Sequence, residues 1–527
     1  MRYPGTAMHD RRILCVFPAY TPSFGTFSHA YKLMGVKAFM PPQGLLLIAS
    51  YLPEIWEVRF IDENIAPASS SDFAWADVVM VSGMHVQAPQ IESIRARAAA
   101  AGKVTALGGP SVSSMPERYA KFDYLHIGEL GDATDRLIAV LDESIAPPPQ
   151  QMRFETQERV ALSDFPVPAY EQSVLGQYLL SSVQFSSGCP YRCEFCDIPS
   201  LYGRQPRLKS PDQMTAELDA MLAQKDAPSV VYFVDDNFIG NRKATREMLP
   251  ALVAWQKARN YPLNFACEAT LNIAKHTEIL ALMREAAFTT VFVGIETPEL
   301  DALKLMQKDH NAAVPMYEAI ATLNSFGLEV TSGIILGLDT DTSETERHLI
   351  EFIDRSNIPI LTINILQALP RTPLWDRLAI AGRIVEDPEL ESNVRFLRPY
   401  DDVLDSWRRS VAYAYKPERL FARFKHQVDA TYANRLRTSG AGKLTRSNLR
   451  RGVTLLANSI VRVGILSDYR REFWDAALYA LKRGQIDAAL GMAFVAYHLI
   501  QFSREAVAGE QNASFYAIKQ RTERAAA

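Results

Sequence analysis

The stretch SSGCPYRCEFCDIP (186–199) decides how the rest of the chain is read. Three of the five cysteines, Cys189, Cys193 and Cys196, fall within eight residues of it at the spacing CxxxCxxC. Thiolates are soft ligands suited to iron–sulfur clusters. Three of them on a 4Fe–4S cube leave one iron open for a substrate or cofactor, whereas an electron-transfer ferredoxin would need a fourth thiolate nearby. A three-thiolate zinc site is the alternative, and it wants a fourth ligand close by. The nearest histidines, His126 and His276, are far off in sequence. The metal site expected from this spacing is an open cluster on Cys189, Cys193 and Cys196.

Around this loop, strand and helix alternate six times between 178 and about 370. The strands are read at 178–187, 229–236, 263–269, 289–296, 329–337 and 360–368, with helices such as 211–224, 242–257 and 275–286 between them. Repeated βα units favour a parallel sheet curved into a barrel, with chemistry at the carboxyl ends of the strands. Six units make a partial (β/α)6 barrel, and the cysteine loop follows its first strand.

Spacing and setting together resemble the radical S-adenosylmethionine (SAM) superfamily, with Phe195 as the aromatic before the last cysteine. The resemblance implies that the open iron chelates SAM and that one electron cleaves it to a radical that abstracts hydrogen. It also implies SAM contacts at the strand ends. These are Asp235, Asp236 and Asn237 in VDDNF, Glu268 on the third strand, Glu296 in GIETP, and Gly333 and Gly337 of GIILG. Thr340 stands where that last motif often has an acid, with Asp339 one residue earlier. A strand-end carboxylate can equally be a solvated cap or the N-cap of the next helix. Cys267 reads as a buried small hydrophobe.

Residues 12–145 carry five short apolar runs, at 12–18, 58–62, 77–83, 104–109 and 124–128, alternating with helical stretches. Such runs, closed by Gly or Pro, fit buried parallel strands in a doubly wound, flavodoxin-like α/β order, with ligands at the strand ends. PPP at 147–149 reads as a stiff linker. The expected division is 10–146, linker 147–177, barrel 178–375 and a helical C-terminal region 376–527. A domain of this kind before a radical SAM motif resembles the cobalamin-binding class of that superfamily. The DxHxxG motif that supplies a histidine to cobalt is not present, so the resemblance implies cobalamin bound base-off. His85 reads as a loop histidine with a structural hydrogen bond. Candidate corrinoid contacts are the loops 83–87, 108–111 and 128–129, with Gly83, Gly108 and Gly109 letting the backbone approach a flat ligand. Flavin or nucleotide binding is the alternative, though no GxGxxG follows the first strand.

At 527 residues, 48% hydrophobic and net charge −4, the chain has the make-up of a large globular enzyme of about three domains. No signal peptide and few cysteines fit a reducing cytosol. No run of about 18 or more uncharged apolar residues marks a membrane span.

From 400 onward the chain reads as helical. Residues 435–483 hold eleven Lys/Arg and three Asp/Glu, a local net charge of +8. Val453, Leu456, Ile460 and Val463 recur there at helical spacing beside Arg450, Arg451 and Arg462. Such a helix can lie on an anionic bilayer, or pack on the barrel with a solvated basic face. Nucleic acid is not expected, since no small β-rich RNA module is appended. The aromatics Phe396, Tyr400, Trp407, Tyr413 and Tyr415 could line an apolar site or be ordinary core.

Over roughly residues 10–430 the chain resembles the bacterial hopanoid methylases, and among them those acting at C-2. The segments carrying the likeness include FMPPQGLLLIASYLPE, SSGCPYRCEFCDIPSLYGRQPR and VYFVDDNFIGNRK. The resemblance implies cobalamin-dependent methylation of an unactivated ring carbon of a hopanoid lipid to a 2-methylhopanoid. Its cofactors would be a 4Fe–4S cluster, SAM and cobalamin, and its electron donor a flavodoxin or ferredoxin. Rival expectations are a hopanoid C-3 methylase, another cobalamin-dependent natural-product methylase, or a non-catalytic cobalamin or redox sensor. A pure sensor does not need an open iron. The expected location is cytoplasmic, in peripheral contact with the inner face of the membrane.

Overall fold

The computed structural model describes residues 8–438 and 445–517. The polar leader before residue 8, part of the basic stretch (439–444) and the last ten residues lie outside the described residues.

The first sheet is all parallel, in the order β2-β1-β3-β4-β5-β6. Its strands are β1 (Arg12–Phe17), β2 (Glu57–Asp62), β3 (Val78–Ser82), β4 (Val104–Gly108), β5 (Tyr124–Ile127) and β6 (Met152–Glu155). Along β1 the side chains divide with period two. Ile13, Cys15 and Phe17 pack on one face with Leu45, Leu137 and Ile138. Leu14 and Val16 pack on the other with Ile91, Ile94 and Phe73. Burial on both faces explains why the strand reads as an unbroken apolar run. The order 2-1-3-4-5 is the flavodoxin-like one, with its switch point between β1 and β3.

One boundary needs correction. The segment 147–177, expected as linker, opens with β6, which pairs in parallel with β5 from Tyr124↔Met152 to Ile127↔Glu155. The three prolines are a bend inside the domain, and the sheet has six strands. MRFE carries one buried residue, Phe154, and as an edge strand offers too short an apolar run to be read from sequence.

The second sheet is also parallel and keeps chain order, β7-β10-β11-β12-β13-β14. These are β7 (Ser181–Val183), β10 (Val230–Phe233), β11 (Asn264–Glu268), β12 (Phe288–Glu296), β13 (Glu329–Leu336) and β14 (Ile360–Ile365). It is the expected six-stranded partial barrel. The first predicted strand is split, and its second part, β8 (Ser186–Ser187), pairs antiparallel with β9 (Arg207–Leu208). On β14, Ile360, Thr362 and Asn364 are half-buried while Leu361, Ile363 and Ile365 are buried. The half-buried set faces the barrel interior, and the buried set packs outward on helices.

The C-terminal region is helical as expected, with α1 (Tyr400–Ala414), α2 (Pro417–Ala430), α3 (Arg446–Asn458), α4 (Arg470–Lys482) and α5 (Ile486–Val507). Trp407 and Tyr415 are core residues: Trp407 Nε1 donates to the Ile363 carbonyl at 2.9 Å, and the Tyr415 hydroxyl bonds the Leu361 backbone. Among the described residues one helix, α5, is long and apolar enough to cross a membrane by length and composition, although with Asp487, Arg504 and Glu505 it is not an uncharged run. Most of its apolar window, 61%, is buried inside the fold, which suits a core helix.

The predicted basic stripe divides. Val453, Leu456 and Ile460 face outward, but Val463 is fully buried. Residues Ser459–Ile465 form a π-helical turn, which slips the helical phase. The exposed row continues instead through Val461, Ile465 and Leu466, and begins at Leu449. Arg451 also leaves the surface set: it is buried and donates to the Gly176 carbonyl at 2.7 Å.

Candidate active site

The carboxyl ends of both sheets face one another. Gln43 spans the gap, its amide donating to the Ser182 hydroxyl at 3.0 Å and the Tyr170 hydroxyl at 3.1 Å. The Tyr178 hydroxyl donates to Asp62 at the end of β2 at 2.9 Å. Burial pushes the Asp62 carboxyl up to about 6.

Between the sheets lies a mostly apolar cavity of about 390 Å³. Gly83, Gly108, Gly109, Gly128 and Glu129 line it from the first domain, and Gln184, Tyr202, Val234 and Asp236 from the second. Gly109 has φ +92°, and a Cβ there would meet Ser82 Oγ at 2.5 Å. A Cβ on Gly83 would meet Ile91 at 3.1 Å. The expected strand-end glycines thus share one wall of the cavity; Gly83 and Gly109 leave no room for a side chain without a shift, whereas at Gly108 the nearest atom, His126 Cβ, is 3.8 Å away. His85 is not part of this wall. It is buried behind it, with Nδ1 3.5 Å from Ser111 Oγ and burial lowering its pKa to about 4. His126, not anticipated as a contact, does line the cavity, with Nε2 2.8 Å from Thr134 Oγ1.

The cysteine loop leaves β8 through Gly188, whose φ of +99° favours glycine. Its other anchors are backbone ones. The Cys189 N–H donates to Gly203 O at 3.2 Å, Glu194 N–H to Met306 O at 2.9 Å, and Cys196 N–H to Cys193 O at 3.1 Å. Arg377 grips both carboxylate oxygens of Glu194 (2.5 and 3.2 Å) and also Asp339 (2.5 Å). All three cysteines are free and half-buried. Burial pushes each thiol pKa up, that of Cys193 to about 11. A bound cation would reverse that, because metal ligation deprotonates a thiol outright. Among the described residues no three His, Cys, Asp or Glu side chains gather around a single-ion site. A cube, which spreads its thiolates over separate irons, asks for no such gathering. The donor set of three thiols on one pinned loop therefore fits a cluster better than zinc.

The strand-end carboxylates do not share one environment. Asp235 faces away from the chamber: its Oδ1 accepts the Ser186 backbone and hydroxyl, and its Oδ2 the Phe185 N–H at 3.2 Å. It is a fully committed structural carboxylate, so its expected place among the SAM contacts is corrected. Asp236 faces inward and lines the cavity, with one oxygen on Gly188 N–H. Asn237 is buried against Cys189, to which its side chain gives a hydrogen bond that opposes the rise of the thiol pKa. Glu268 accepts the Tyr232 hydroxyl at 3.2 Å. Burial, with the neighbouring carboxylates, pushes Asp236 and Glu268 each up to about 7.

Glu296 pairs with Lys308 inside the fold, and its Oε2 lies 3.8 Å from where a Cβ on Gly333 would sit. It holds φ +67°, a costly conformation for a non-glycine residue. Burial works against the Lys308 ammonium, yet Glu296, Cys193 and Cys196 outweigh it and its pKa is raised. Lys308 also sits 5.5 Å from the Phe195 ring centroid. It is a cation beside the cysteine loop that no motif announced, since it lies twelve residues beyond Glu296, between two short helices.

Gly333 leaves room in the barrel: a Cβ there would meet Phe292 at 3.3 Å and Thr362 at 3.5 Å. At Gly337 (φ +93°) a Cβ would strike the Phe396 ring at 2.6 Å. The acid missing from position 340 is replaced by Asp341, which accepts the Gly337 N–H at 2.7 Å. Asp339 is instead held by Arg377 and Arg383.

Residues 34–138 match the B12 binding domain, 183–353 the radical SAM superfamily and 372–512 a domain of unknown function. The chain is 57% identical to the hopanoid C-2 methylase of Rhodopseudomonas palustris (strain TIE-1) over 97% of each protein. Its identity to the hopanoid C-3 methylase of Methylococcus capsulatus is 24%, over 37% of this chain and 36% of that one. Two solved structures share the fold. One is the cobalamin-dependent SAM radical enzyme OxsB with aqua-cobalamin and SAM bound (TM-score 0.59, 13% identity, 97% of this chain and 82% of that one). The other is the radical SAM methyltransferase TsrM of Kitasatospora setae with cobalamin and a [4Fe-4S] cluster (TM-score 0.54, 16% identity, 72% and 80%).

Proposed function

The chain belongs to the hopanoid C-2 methylase family of radical SAM, cobalamin-binding enzymes, and from that premise we propose that it methylates C-2 of a hopanoid lipid. It is a radical SAM methyltransferase, with a 4Fe–4S cluster, SAM and cobalamin as cofactors. When bound, the cluster and SAM supply hydrogen-atom abstraction and cobalamin supplies the methyl group.

The residues divide this work. Cys189, Cys193 and Cys196 hold the cluster, and Asn237 supports Cys189. Asp236 and Glu268 present carboxylate oxygens to the chamber, where an ammonium or ribose hydroxyls of SAM would satisfy them. Gly333 keeps the space between Phe292 and Thr362 free for a flat ring. Gly83, Gly108 and Gly109 cradle the corrinoid. The observation that carries the reading is the shared, mostly apolar cavity between the two sheets, with Asp236 on its barrel side. A hydrocarbon ring system gains most by burial in such a site and needs few polar handles. The enzyme's reductant is a small electron carrier such as flavodoxin or ferredoxin.

A lipid substrate also asks for access to a bilayer. The exposed row from Leu449 to Leu466, rimmed by the exposed Arg446, Arg450 and Arg462, supports peripheral attachment at an anionic surface.

The test is product analysis. The anaerobically reconstituted enzyme with SAM, cobalamin, reductant and a hopanoid should yield the 2-methyl product. Exclusive methylation at C-3, or SAM cleavage with every hopanoid left unmethylated, would overturn the substrate assignment.

A further inference from the structure

We propose that Glu129, Ser187, Arg207 and Arg159 form a clamp that fixes the wall of the cobalamin cavity against the root of the cysteine loop, with Arg207 as its central positioning residue for methyl transfer. The inference rests on the reading of the cavity between the sheets as the cobalamin site and of Cys189, Cys193 and Cys196 as the cluster site.

Each end of the clamp belongs to one of those sites. Glu129 stands in the loop after β5 and lines the cavity. Its backbone is held from behind, Thr156 Oγ1 donating to its carbonyl at 2.7 Å. Ser187 ends β8, two residues before Cys189, and Arg207 stands directly opposite it in the β8–β9 pair.

The side chains close a ring. Ser187 Oγ donates to Glu129 Oε1 at 3.0 Å. Arg207 Nη2 donates to Glu129 Oε2 at 2.5 Å and to Ser187 Oγ at 2.9 Å. Arg159 brings a second cation, its Nη1 3.1 Å from Glu129 Oε2. The two arginines also hold the chain that runs on from the cysteine loop. Arg159 donates to the Leu201 and Tyr202 carbonyls at 3.0 Å each, and Arg207 to that of Tyr202 at 3.3 Å. The next residue, Gly203, accepts the Cys189 N–H at 3.2 Å. The loop is thus fastened to Glu129 both where it leaves β8 and where it returns.

The Glu129 side chain is 13% exposed and that of Arg207 24%. Arg207 Nε and Nη1 are buried without a hydrogen-bond partner among the described residues, so its bonds converge through Nη2 on this one cluster. Charge-assisted hydrogen bonds are short and strong, and a carboxylate gripped from three segments has little freedom to turn. Passing a group between two bound cofactors depends on their separation, and a misplacement of about 1 Å can cost roughly 100-fold in rate. A bridge that served stability alone could sit anywhere on the surface between the domains; this one joins the cavity wall to the loop root. Arg207 lies 78 residues beyond Glu129, so no local motif pairs them.

Amide hydrogen exchange of the full-length, cluster-free chain, read by peptide mass spectrometry, tests the clamp without turnover. Arg207→Ala should speed exchange several-fold in peptides covering 128–131 and 186–189, leaving those of β3 and β13 at wild-type rates. In the reconstituted holoenzyme the same variant should raise the ratio of 5′-deoxyadenosine to methylated lipid several-fold. A merely structural loss lowers both products together and leaves that ratio unmoved. Wild-type exchange in 186–189, or a wild-type ratio, in Arg207→Ala overturns the proposal. If that variant loosens the whole fold, seen as faster exchange in β3 and β13, Ser187→Ala decides. It removes a single hydroxyl and should still speed exchange in 186–189 and raise the ratio, and wild-type values would overturn the claim. A wrong substrate assignment leaves wild type without methylated lipid but does not alter the exchange result, so the two failures are separable.

Discussion

Asp236 accepts the backbone N–H of Gly188 at 2.7 Å, so a carboxylate at the end of β10 fixes the residue that leads into Cys189. Gly188 has little choice of position, because a Cβ there would press on the carbonyls of Gly203, Gln205 and Tyr202 at 3.0 to 3.2 Å. The other face of Asp236 lines the cavity between the sheets. One side chain therefore touches both the proposed cluster loop and the proposed cobalamin cavity.

Replacing any one of Cys189, Cys193 and Cys196 with Ala should abolish the cluster's visible absorbance and SAM cleavage together. Anaerobic reconstitution followed by quantification of 5′-deoxyadenosine checks this. Cleavage at the wild-type rate by any of the three variants would show the site to be misassigned.

Cobalamin should bind without an imidazole below cobalt. His85 lies behind the cavity wall, and His126 has its Nε2 engaged with Thr134. Paramagnetic resonance of the cob(II)alamin form should show no nitrogen hyperfine splitting. If splitting appears and vanishes in His126→Ala, His126 is the ligand after all.

Lys308→Met should destabilise the protein, since it strands the Glu296 carboxylate 7% exposed and without its cation. Breaking one partner of a buried pair costs roughly 3–5 kcal/mol. Thermal denaturation of the cluster-free chain measures it, and Lys308→Met with Glu296→Gln should recover part of the loss. A single variant as stable as wild type would mean that the pair is more hydrated than its burial indicates.

Asp62 gives a pH dependence with a defined sign. Its folded pKa of about 6 lies above the ordinary aspartate value of 3.8. Folding therefore takes up a proton, and the stability tied to it is present below pH 4 and lost as pH rises through about 6. The full span is about 3 kcal/mol at 1.36 kcal/mol per unit. Asp62→Asn, still able to meet Tyr178 and Asn64, should flatten the fall in melting temperature between pH 4 and pH 7. An unchanged slope would remove Asp62 as its source.

Vesicle binding should depend on the exposed row of the basic helix. Leu449, Val453 and Leu466 to Ser, or Arg446, Arg450 and Arg462 to Gln, should release the protein from anionic vesicles, the arginine set more at low salt. Arg451→Gln should instead disturb the fold locally, because Arg451 bonds Gly176. If the unmodified protein binds no vesicles at any salt concentration, these helices only pack on the barrel.

The sequence alone was enough to read five strands of the first sheet, the six of the second and the cysteine loop. Apolar runs such as RILCVF are continuous because a parallel strand is buried on both faces, and CxxxCxxC is local because one turn supplies all three thiols. Neither inference needs a distant residue. Tertiary structure decided which strand-end carboxylates face the chamber. Both lie just past the end of β10, where Asp235 went to Ser186 while Asp236 turned inward, a choice that VDDNF does not declare. It also decided the partners brought from afar. Lys308 reached Glu296, β6 joined β5 across three prolines, and Phe515 was carried back to Asn364 on β14. Such contacts arise from packing between segments remote in the chain, where a single residue bears no periodic or spaced signal of the neighbour that it will meet.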